Sequence, residues 1–348
     1  IRAETDWSLG ILAFGTHLSD KFGRTVNEIE KDGFAIEHAV ETMPTDDSPG
    51  GIARSMAATL AAFAPIWEVE SYDLVLALGD RFEMFAAVAS ALPFNLKVAH
   101  IAGGETTIGA IDNAFRHCIT HMACLHFTTT EAYRRRVIEL IGHDRGVFNT
   151  GSLSVDTLSR APWIGRGDFK ARWGIDLAEP YILITVHPET VSFERNRDYI
   201  REVVTALTMI AGYRFVVTMP NADTMGGMIR EQWHSFAKEN PSVCLIENFG
   251  TTGYLTAMRH STLMLGNTSS GFAEAEFFPK PVVNLGERQR GRIVTPNIIN
   301  CPFISGEIVA AVQTASAMRG LSRSDVYGDG NAAEKMIGHM AGFLNIKP

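Results

Sequence analysis

The chain has 348 residues, 46% hydrophobic and 20% charged, which suits about two domains with cores of their own and excludes a disordered or collagen-like chain. Thirty-one basic and thirty-nine acidic side chains leave a net charge of −8. Nucleic acid is therefore not the expected main partner, and only a local basic pocket for a small anion stays open.

Short apolar runs read as strands and longer periodic segments as helices. In chain order, a strand at residues 9–14 ends in Gly15-Thr16-His17, a helix covers 24–31, and a short strand covers 34–39. Asp46-Asp47-Ser48-Pro49-Gly50-Gly51 reads as a turn, followed by an Ala-rich helix over 52–69. The strand at 73–78 ends in Gly79-Asp80-Arg81 and leads into a helix to 92. A strand at 97–101 ends in Ala102-Gly103-Gly104-Glu105. A helix from 112, strands at 126–129 and 146–149, and a helix at 131–141 complete the first half. Residues 151–174, with Pro162, Gly165 and Gly167, read as an irregular linker. Alternation then restarts, with strands at 181–186, 214–219, 243–246, 262–265 and 281–285. Helices are predicted at 193–210, 225–238, 252–259, 271–278, 307–318 and 332–344.

This alternation predicts an α/β protein of two doubly wound, Rossmann-like domains with parallel sheets. The boundaries are 1–160 and 161–330, with 331–348 as a closing helix. Ligands of such sheets bind beyond the carboxyl ends of the strands, and a cleft between two domains is a favoured site. No G-x-G-x-x-G and no G-x-x-x-x-G-K-[ST] occurs, so dinucleotide and P-loop sites are not predicted. The four cysteines, Cys118, Cys124, Cys244 and Cys301, form no C-x-x-C pair, which points away from disulfides and cysteine zinc sites and toward a reducing cytoplasm. The longest charge-free apolar stretch, 55–67, falls short of the roughly 20 residues of a membrane span, and no signal peptide is read at the start. Ile1-Arg2-Ala3-Glu4-Thr5 reads as the tail of a helix, and a strand and loop are expected ahead of it.

The polar residues gather just past the predicted strands. Gly266-Asn267-Thr268-Ser269-Ser270-Gly271 offers free N–H groups and small hydroxyls, either to an anion or as an ordinary helix cap. Arg288, Arg290 and Arg292 follow the next strand and read as neutralising a diphosphate or as a solvated basic turn. Asp80, Glu105 and Asp112 come from neighbouring connections of one sheet. Clustered carboxylates repel, so one can serve as base while another holds a proton. A helix cap is the alternative for Asp80. His187, in Thr185-Val186-His187-Pro188-Glu189, reads as a phosphate donor, an acid or a structural side chain. Phe249 reads as core or as cover for a nucleobase. Glu274, in the first turns of the next helix, is placed to reach a ribose hydroxyl. His117 and His121 lie four apart, but no H-E-x-x-H accompanies them, and no metal is predicted.

With these residues the chain resembles the UDP-N-acetylglucosamine 2-epimerases, specifically the hydrolysing branch of sialic-acid-type pathways. The resemblance runs nearly end to end. It is carried by Gly15-Thr16-His17-Leu18-Ser19, Leu78-Gly79-Asp80-Arg81-Phe82-Glu83, His100-Ile101-Ala102-Gly103-Gly104-Glu105, Ile111-Asp112-Asn113-Ala114-Phe115-Arg116-His117, Val186-His187-Pro188-Glu189-Thr190, Pro220-Asn221-Ala222-Asp223, the Gly266–Gly271 run and Val283-Asn284-Leu285-Gly286-Glu287-Arg288-Gln289-Arg290-Gly291-Arg292.

The resemblance implies a GT-B-like pair of domains with the active site in the cleft between them and the closing helix returning to the first domain. It implies UDP contacts from Arg81, His187, Asn221, Phe249, Thr268, Ser269, Ser270, Glu274 and Arg288. Asp80, Glu105 and Asp112 would surround the sugar, with His17 nearby. The implied reaction eliminates UDP from UDP-N-acetylglucosamine to give 2-acetamidoglucal, then adds water to give N-acetylmannosamine. It calls for no metal and no other cofactor, with the UDP-sugar as the partner and no nucleic acid or membrane. The implied enzyme is a cytoplasmic homodimer or homotetramer. Three departures stand out: nothing matches the family's opening Gly-Thr-Arg-Ala-Asp-type loop, Ala102 stands where some members carry an acid, and Asn113 stands where a second acid often follows the first. The alternatives are a hydrolysing 2-epimerase of UDP-2,4-diacetamido-2,4,6-trideoxyglucose, a non-hydrolysing epimerase, a glycosyltransferase, and an inactive nucleotide-sugar-binding protein.

Overall fold

A computed structural model describes residues 1, 7–44, 46–108, 110–191, 193–220 and 226–345. The chain divides into two compact units. The first comprises Ile1–Glu105, Asp112–Asp156 and Val326–Pro348, and the second Thr106–Ile111 and Thr157–Asp325.

The elements up to the unit boundary are β1 (Leu12–Phe14), α1 (Val26–Lys31), β2 (His38–Val40), α2 (Pro49–Val69), β3 (Val75–Leu78), α3 (Phe82–Ala91), β4 (Val98–Ile101), α4 (Asp112–Met122), β5 (Leu125–Thr128), α5 (Glu131–Ile141), β6 (Val147–Asn149) and α6 (Leu153–Arg160). From there they are α7 (Arg166–Trp173), β7 (Tyr181–Thr185), α8 (Asn196–Met209), β8 (Arg214–Thr218), α9 (Gly226–Glu239), β9 (Val243–Ile246), α10 (Gly250–His260), β10 (Leu263–Gly266), α11 (Ala273–Phe277), β11 (Val282–Leu285), β12 (Ile298–Cys301), α12 (Ser305–Ala317) and α13 (Ala332–Leu344).

In the first unit β1 and β2 form a parallel pair, and β3, β4, β5 and β6 form a separate parallel sheet in that order. The long helix α2 begins where Ser48 accepts the Gly51 N–H at 3.0 Å and Pro49 occupies the first turn. Of the Asp46–Gly51 stretch predicted as a turn, Asp46 and Asp47 are bends ahead of the cap Ser48, and Pro49–Gly51 form the first turn of this helix. Helix α2 buries Ile52, Ser55, Thr59, Phe63 and Trp67, one face at helical spacing. A cavity of about 450 Å³ is lined by Leu12 and Phe14 of β1, Val75 and Leu76 of β3, Trp67 and Met340. None of Asp80, Glu105 and Asp112 lines it.

Two predictions fail locally. Residues 151–174 are not irregular but hold α6 and α7. Each has only eight residues, too few for periodicity to outweigh Pro162, Gly165 and Gly167. Strand β12, Ile-Ile-Asn-Cys, is missed because Asn300 interrupts its apolar run.

The second unit carries one six-stranded parallel sheet in the order β12-β11-β10-β7-β8-β9. Counted from the first strand of this unit, that is the order 3-2-1-4-5-6 of the dinucleotide-binding fold. Its strands are near-continuous apolar runs, as burial on both faces requires, and Tyr-Ile-Leu-Ile-Thr of β7 is buried throughout. The core gathers Ile182, Ile184, Val217, Trp233 and Leu265 among others. Among the described residues no helix is long and apolar enough to cross a membrane.

Candidate active site

In the first unit the candidate acids are organised by an arginine. Helix α4 starts at Asp112, and one turn on it carries the buried Arg116. Arg116 donates to the Asp80 carboxylate and, through Nη1, to the Glu105 carbonyl at 2.8 Å. Asp80 follows β3, Glu105 follows β4, and Asp112 lies four residues before Arg116 on the same helix face. The structure thus brings Asp80, Glu105 and Arg116 into direct contact. The guanidinium offsets the mutual repulsion that three acids alone would carry.

The shell behind them is built of uncharged side chains. Thr129 donates to Glu105 Oε1 at 3.0 Å. His100, on β4, is fully buried, with Nε2 2.9 Å from the Gly79 carbonyl and Nδ1 3.1 Å from Thr120 Oγ1. The Nε2 contact requires the donor form on that nitrogen and fixes the turn that presents Asp80. Burial pushes the His100 imidazole down to about 4, so the ring stays neutral at pH 7. After β4 the chain turns sharply. Gly104 has φ +79°, and an added Cβ would meet the Tyr133 carbonyl at 2.4 Å, so only glycine fits. Arg81 donates through Nε to the buried Glu83 at 2.8 Å. His17 is exposed and lies 2.8 Å from Thr25 Oγ1. His117 and His121 share α4, but no group of three or more metal-binding side chains occurs among the described residues.

In the second unit β7 and β10 are hydrogen-bonded neighbours, and their successors β8 and β11 lie on opposite sides of that pair. They are the two strands at which the sheet order reverses, the switch point where ligands of such folds bind. His187 follows β7, and Asn267, Thr268, Ser269 and Ser270 follow β10. Gly266 has φ +141°, and a Cβ there would stand 1.9 Å from the Thr185 carbonyl. The Asn267 amide grips the main chain of His187, accepting its N–H at 2.7 Å and donating to its carbonyl at 2.9 Å. The predicted helix over 271–278 is in fact a 3₁₀ turn, Ser269–Gly271, followed by the five-residue α11. Phe272, at φ −104° and ψ −76°, breaks the two apart. Ser270 lies 2.5 Å from the Tyr254 hydroxyl and 3.2 Å from Thr268 Oγ1. Glu274 is half-buried on α11.

The three arginines after β11 separate in character. Arg288 is buried, and its N–H donates to Glu189 Oε1 at 3.1 Å, beside the Glu287 N–H at 2.6 Å. Burial raises the Glu189 carboxyl, against the pull of those two N–H groups. Arg290 is exposed and pairs with Glu287 at 3.2 Å. Arg292 donates to Gln289 Oε1 at 2.6 Å. Phe249 is buried in an aromatic cluster, 5.5 Å from Phe169 and 5.2 Å from Trp173 between ring centroids. Asn221 lies outside the described residues. The stretch Thr106–Ile111, which joins Glu105 to Asp112, counts with this unit. Its Ile108 N–H donates to the Arg290 carbonyl at 3.1 Å, and its Ile111 N–H to Thr190 Oγ1 at 2.9 Å.

Residue-by-residue reading of the sequence does not single out Arg116, Glu189, Asn267, Gln289 or Tyr254. Their only local sign is position, each lying within or next to a run that ends a strand or opens a helix.

These features define an α/β protein of the GT-B-like class, two Rossmann-like units with polar groups massed at their strand ends. The model of the UDP-N-acetylglucosamine 2-epimerase family matches residues 1–341, and the chain belongs to that family. It is 35% identical over 301 residues to the hydrolysing GDP/UDP-N,N'-diacetylbacillosamine 2-epimerase of Campylobacter jejuni, covering 86% of this chain and 78% of the relative. It is 31% identical over 330 residues to the hydrolysing UDP-N,N'-diacetylbacillosamine 2-epimerase of Legionella pneumophila, covering 95% and 87%. The UDP-GlcNAc 2-epimerase of Neisseria meningitidis, solved with UDP-GlcNAc bound, superposes with a TM-score of 0.83 at 17% identity, covering 98% of this chain and 94% of that one. The chain is an enzyme of the UDP-sugar 2-epimerase family, similar to its hydrolysing members.

Proposed function

We propose that the enzyme converts UDP-2,4-diacetamido-2,4,6-trideoxyglucose, the diacetylbacillosamine nucleotide, and water into UDP and the free 2-epimeric sugar. The grouping of Asp80, Glu105 and Asp112 with Arg116 at the strand ends of the first unit carries this reading. The sugar C2 proton is not acidic, so a carboxylate must take it as the C1–O bond to UDP breaks. Asp80 and Asp112 share the proton transfers, and Glu105 acts as a further acid. Arg116 keeps a cation beside the acids through the cycle.

The leaving diphosphate is held by His187, Thr268, Ser269, Ser270 and Arg288, whose donors face charge that grows in the transition state. Arg81, Asn221, Phe249 and Glu274 complete the nucleotide contacts, and His17 lies on the sugar side. The product of elimination is the unsaturated glycal, to which water adds at C1 and a proton at C2.

The choice of sugar rests on the activity of the two diacetylbacillosamine 2-epimerases, two of the three relatives above 30% identity, the third being a polysialic acid biosynthesis protein of Escherichia coli. UDP-N-acetylglucosamine, giving N-acetylmannosamine, is the second reading, supported by the family's description.

The test offers the enzyme each nucleotide sugar in D₂O and follows free UDP by ³¹P NMR and the sugar by ¹H NMR. The expected outcome is stoichiometric free UDP with a 2-epimer deuterated at C2, faster from the diacetamido substrate. Free UDP with C2 unlabelled contradicts the elimination route. Absence of UDP release from both sugars overturns the proposal.

A further inference from the structure

We propose that Asn267 is a positioning residue for the reaction, setting the place of His187 through the backbone of His187 itself. This rests on the reading above, in which His187 serves the leaving diphosphate. Asn267 is completely buried, and both ends of its amide are used on a single residue. The Oδ1 atom accepts the His187 N–H at 2.7 Å, and Nδ2 donates to the His187 carbonyl at 2.9 Å.

The geometry selects the side chain. Aspartate has no donor for the carbonyl, glutamine is one methylene too long, and an apolar residue would leave two buried main-chain groups unsatisfied. Residue 188 is proline, so the next peptide unit has no N–H with which the loop could anchor itself. The clamp takes over that task at the residue that bears the imidazole.

The clamp is itself held from two sides. The Asn267 N–H donates to the Thr185 carbonyl at 3.1 Å, so its own strand end is tied to β7. Its carbonyl accepts from Nε2 of the buried Gln289 at 2.8 Å, and Gln289 Oε1 accepts from Arg292. The connections after β7, β10 and β11 are thus linked through neutral amides. Because the clamp lies where the sheet order reverses, a small shift of Asn267 moves His187 and Thr268 relative to each other. Misplacement of about 1 Å in such a constellation costs on the order of 10²-fold in rate.

The test is a double-mutant cycle on the full chain with the UDP-sugar that the enzyme turns over. Asn267→Ala is expected to lower kcat/KM about 10²-fold in the presence of His187 and by less than about 3-fold in a His187→Ala background. Gln289→Met, which removes the support one bond further out, is expected to give a smaller loss that also vanishes with His187→Ala. Equal losses in both backgrounds overturn the positioning role, because a purely structural defect persists whichever residue stands at 187. Should Asn267→Ala lack a cooperative unfolding transition, Asn267→Asp, which retains the acceptor and the volume, and Gln289→Met carry the same cycle. Failure of the functional reading is distinguishable: the wild-type chain then releases no UDP from either sugar, and both claims fall. With UDP released and the cycle additive, only the positioning claim falls.

Discussion

Arg116 ties two of the candidate acids into one corner of the fold. It is buried, and its charge is answered by the Asp80 carboxylate. Removing one partner of a buried pair leaves the other uncompensated, which costs several kcal/mol. Asp80→Ala should therefore destabilise the protein by about 3 kcal/mol in urea unfolding as well as abolish turnover. The double variant Asp80→Asn, Arg116→Met should recover most of that stability and none of the activity. A double variant that stays as unstable as Asp80→Ala would show that the pair is not what holds this corner. Two buried histidines add a pH dependence. Burial lowers His100 and His126 to about 4, from 6.5 in an unfolded chain. Between pH 6.5 and pH 4 the unfolded chain takes up protons that the folded rings refuse, so stability falls as the solution is acidified. Each histidine removes roughly 3 kcal/mol by pH 4. Thermal unfolding at pH 7 and at pH 5 should show the decline, and His100→Asn should make it shallower. A melting temperature flat across that range would contradict the assignment.

At the scale of elements, the contact between β7 and β10 positions the residues proposed to hold the diphosphate. Gly266 is the residue that lets β10 approach. Its φ of +141° and the Thr185 carbonyl 1.9 Å from an added Cβ admit no side chain. Gly266→Ala should cost more than about 3 kcal/mol, because the backbone of β7, not a flexible side chain, is in the way. A wild-type urea midpoint in that variant would refute the close approach. The short α11 teaches a related lesson. A five-residue helix has little macrodipole, so the anion binding proposed after β10 would depend on hydroxyls, N–H groups and arginine more than on a helix end. Helix α13 is capped from far away. Both carboxylate oxygens of Asp156 accept the N–H groups of Ala332 and Ala333 at 2.8 Å, whereas Asn331 at the cap position offers no side-chain bond.

On the scale of the whole molecule, each of the two units has its own sheet and core, and the proposed chemistry divides between them. UDP alone should protect the connections after β7, β10 and β11 from hydrogen exchange and leave residues 103–105, on the sugar side, unaffected. At about 100-fold over its dissociation constant it should add about 2.7 kcal/mol to the second unit. Protection of 103–105 by UDP alone would reverse the assignment of the two halves.

Strand and helix alternation, parallel sheets and strand-end turns rich in glycine and polar residues were all legible in the linear chain. Each arises from local patterning, in which an apolar run, a breaking residue and a periodic helix follow one another within some thirty residues. The same locality explains why Asp80, Glu105, Asp112, His187 and the Thr268–Ser270 run stand out as candidates: all lie just past a strand or at the start of a helix. Tertiary structure alone decided the strand order of the second sheet, the gathering of two strand ends on Arg116, and the grip of Asn267 on His187. Those contacts join residues 36 and 80 positions apart. They depend on individual donor and acceptor atoms meeting at hydrogen-bond distance, and no periodicity or composition along the chain encodes such a meeting.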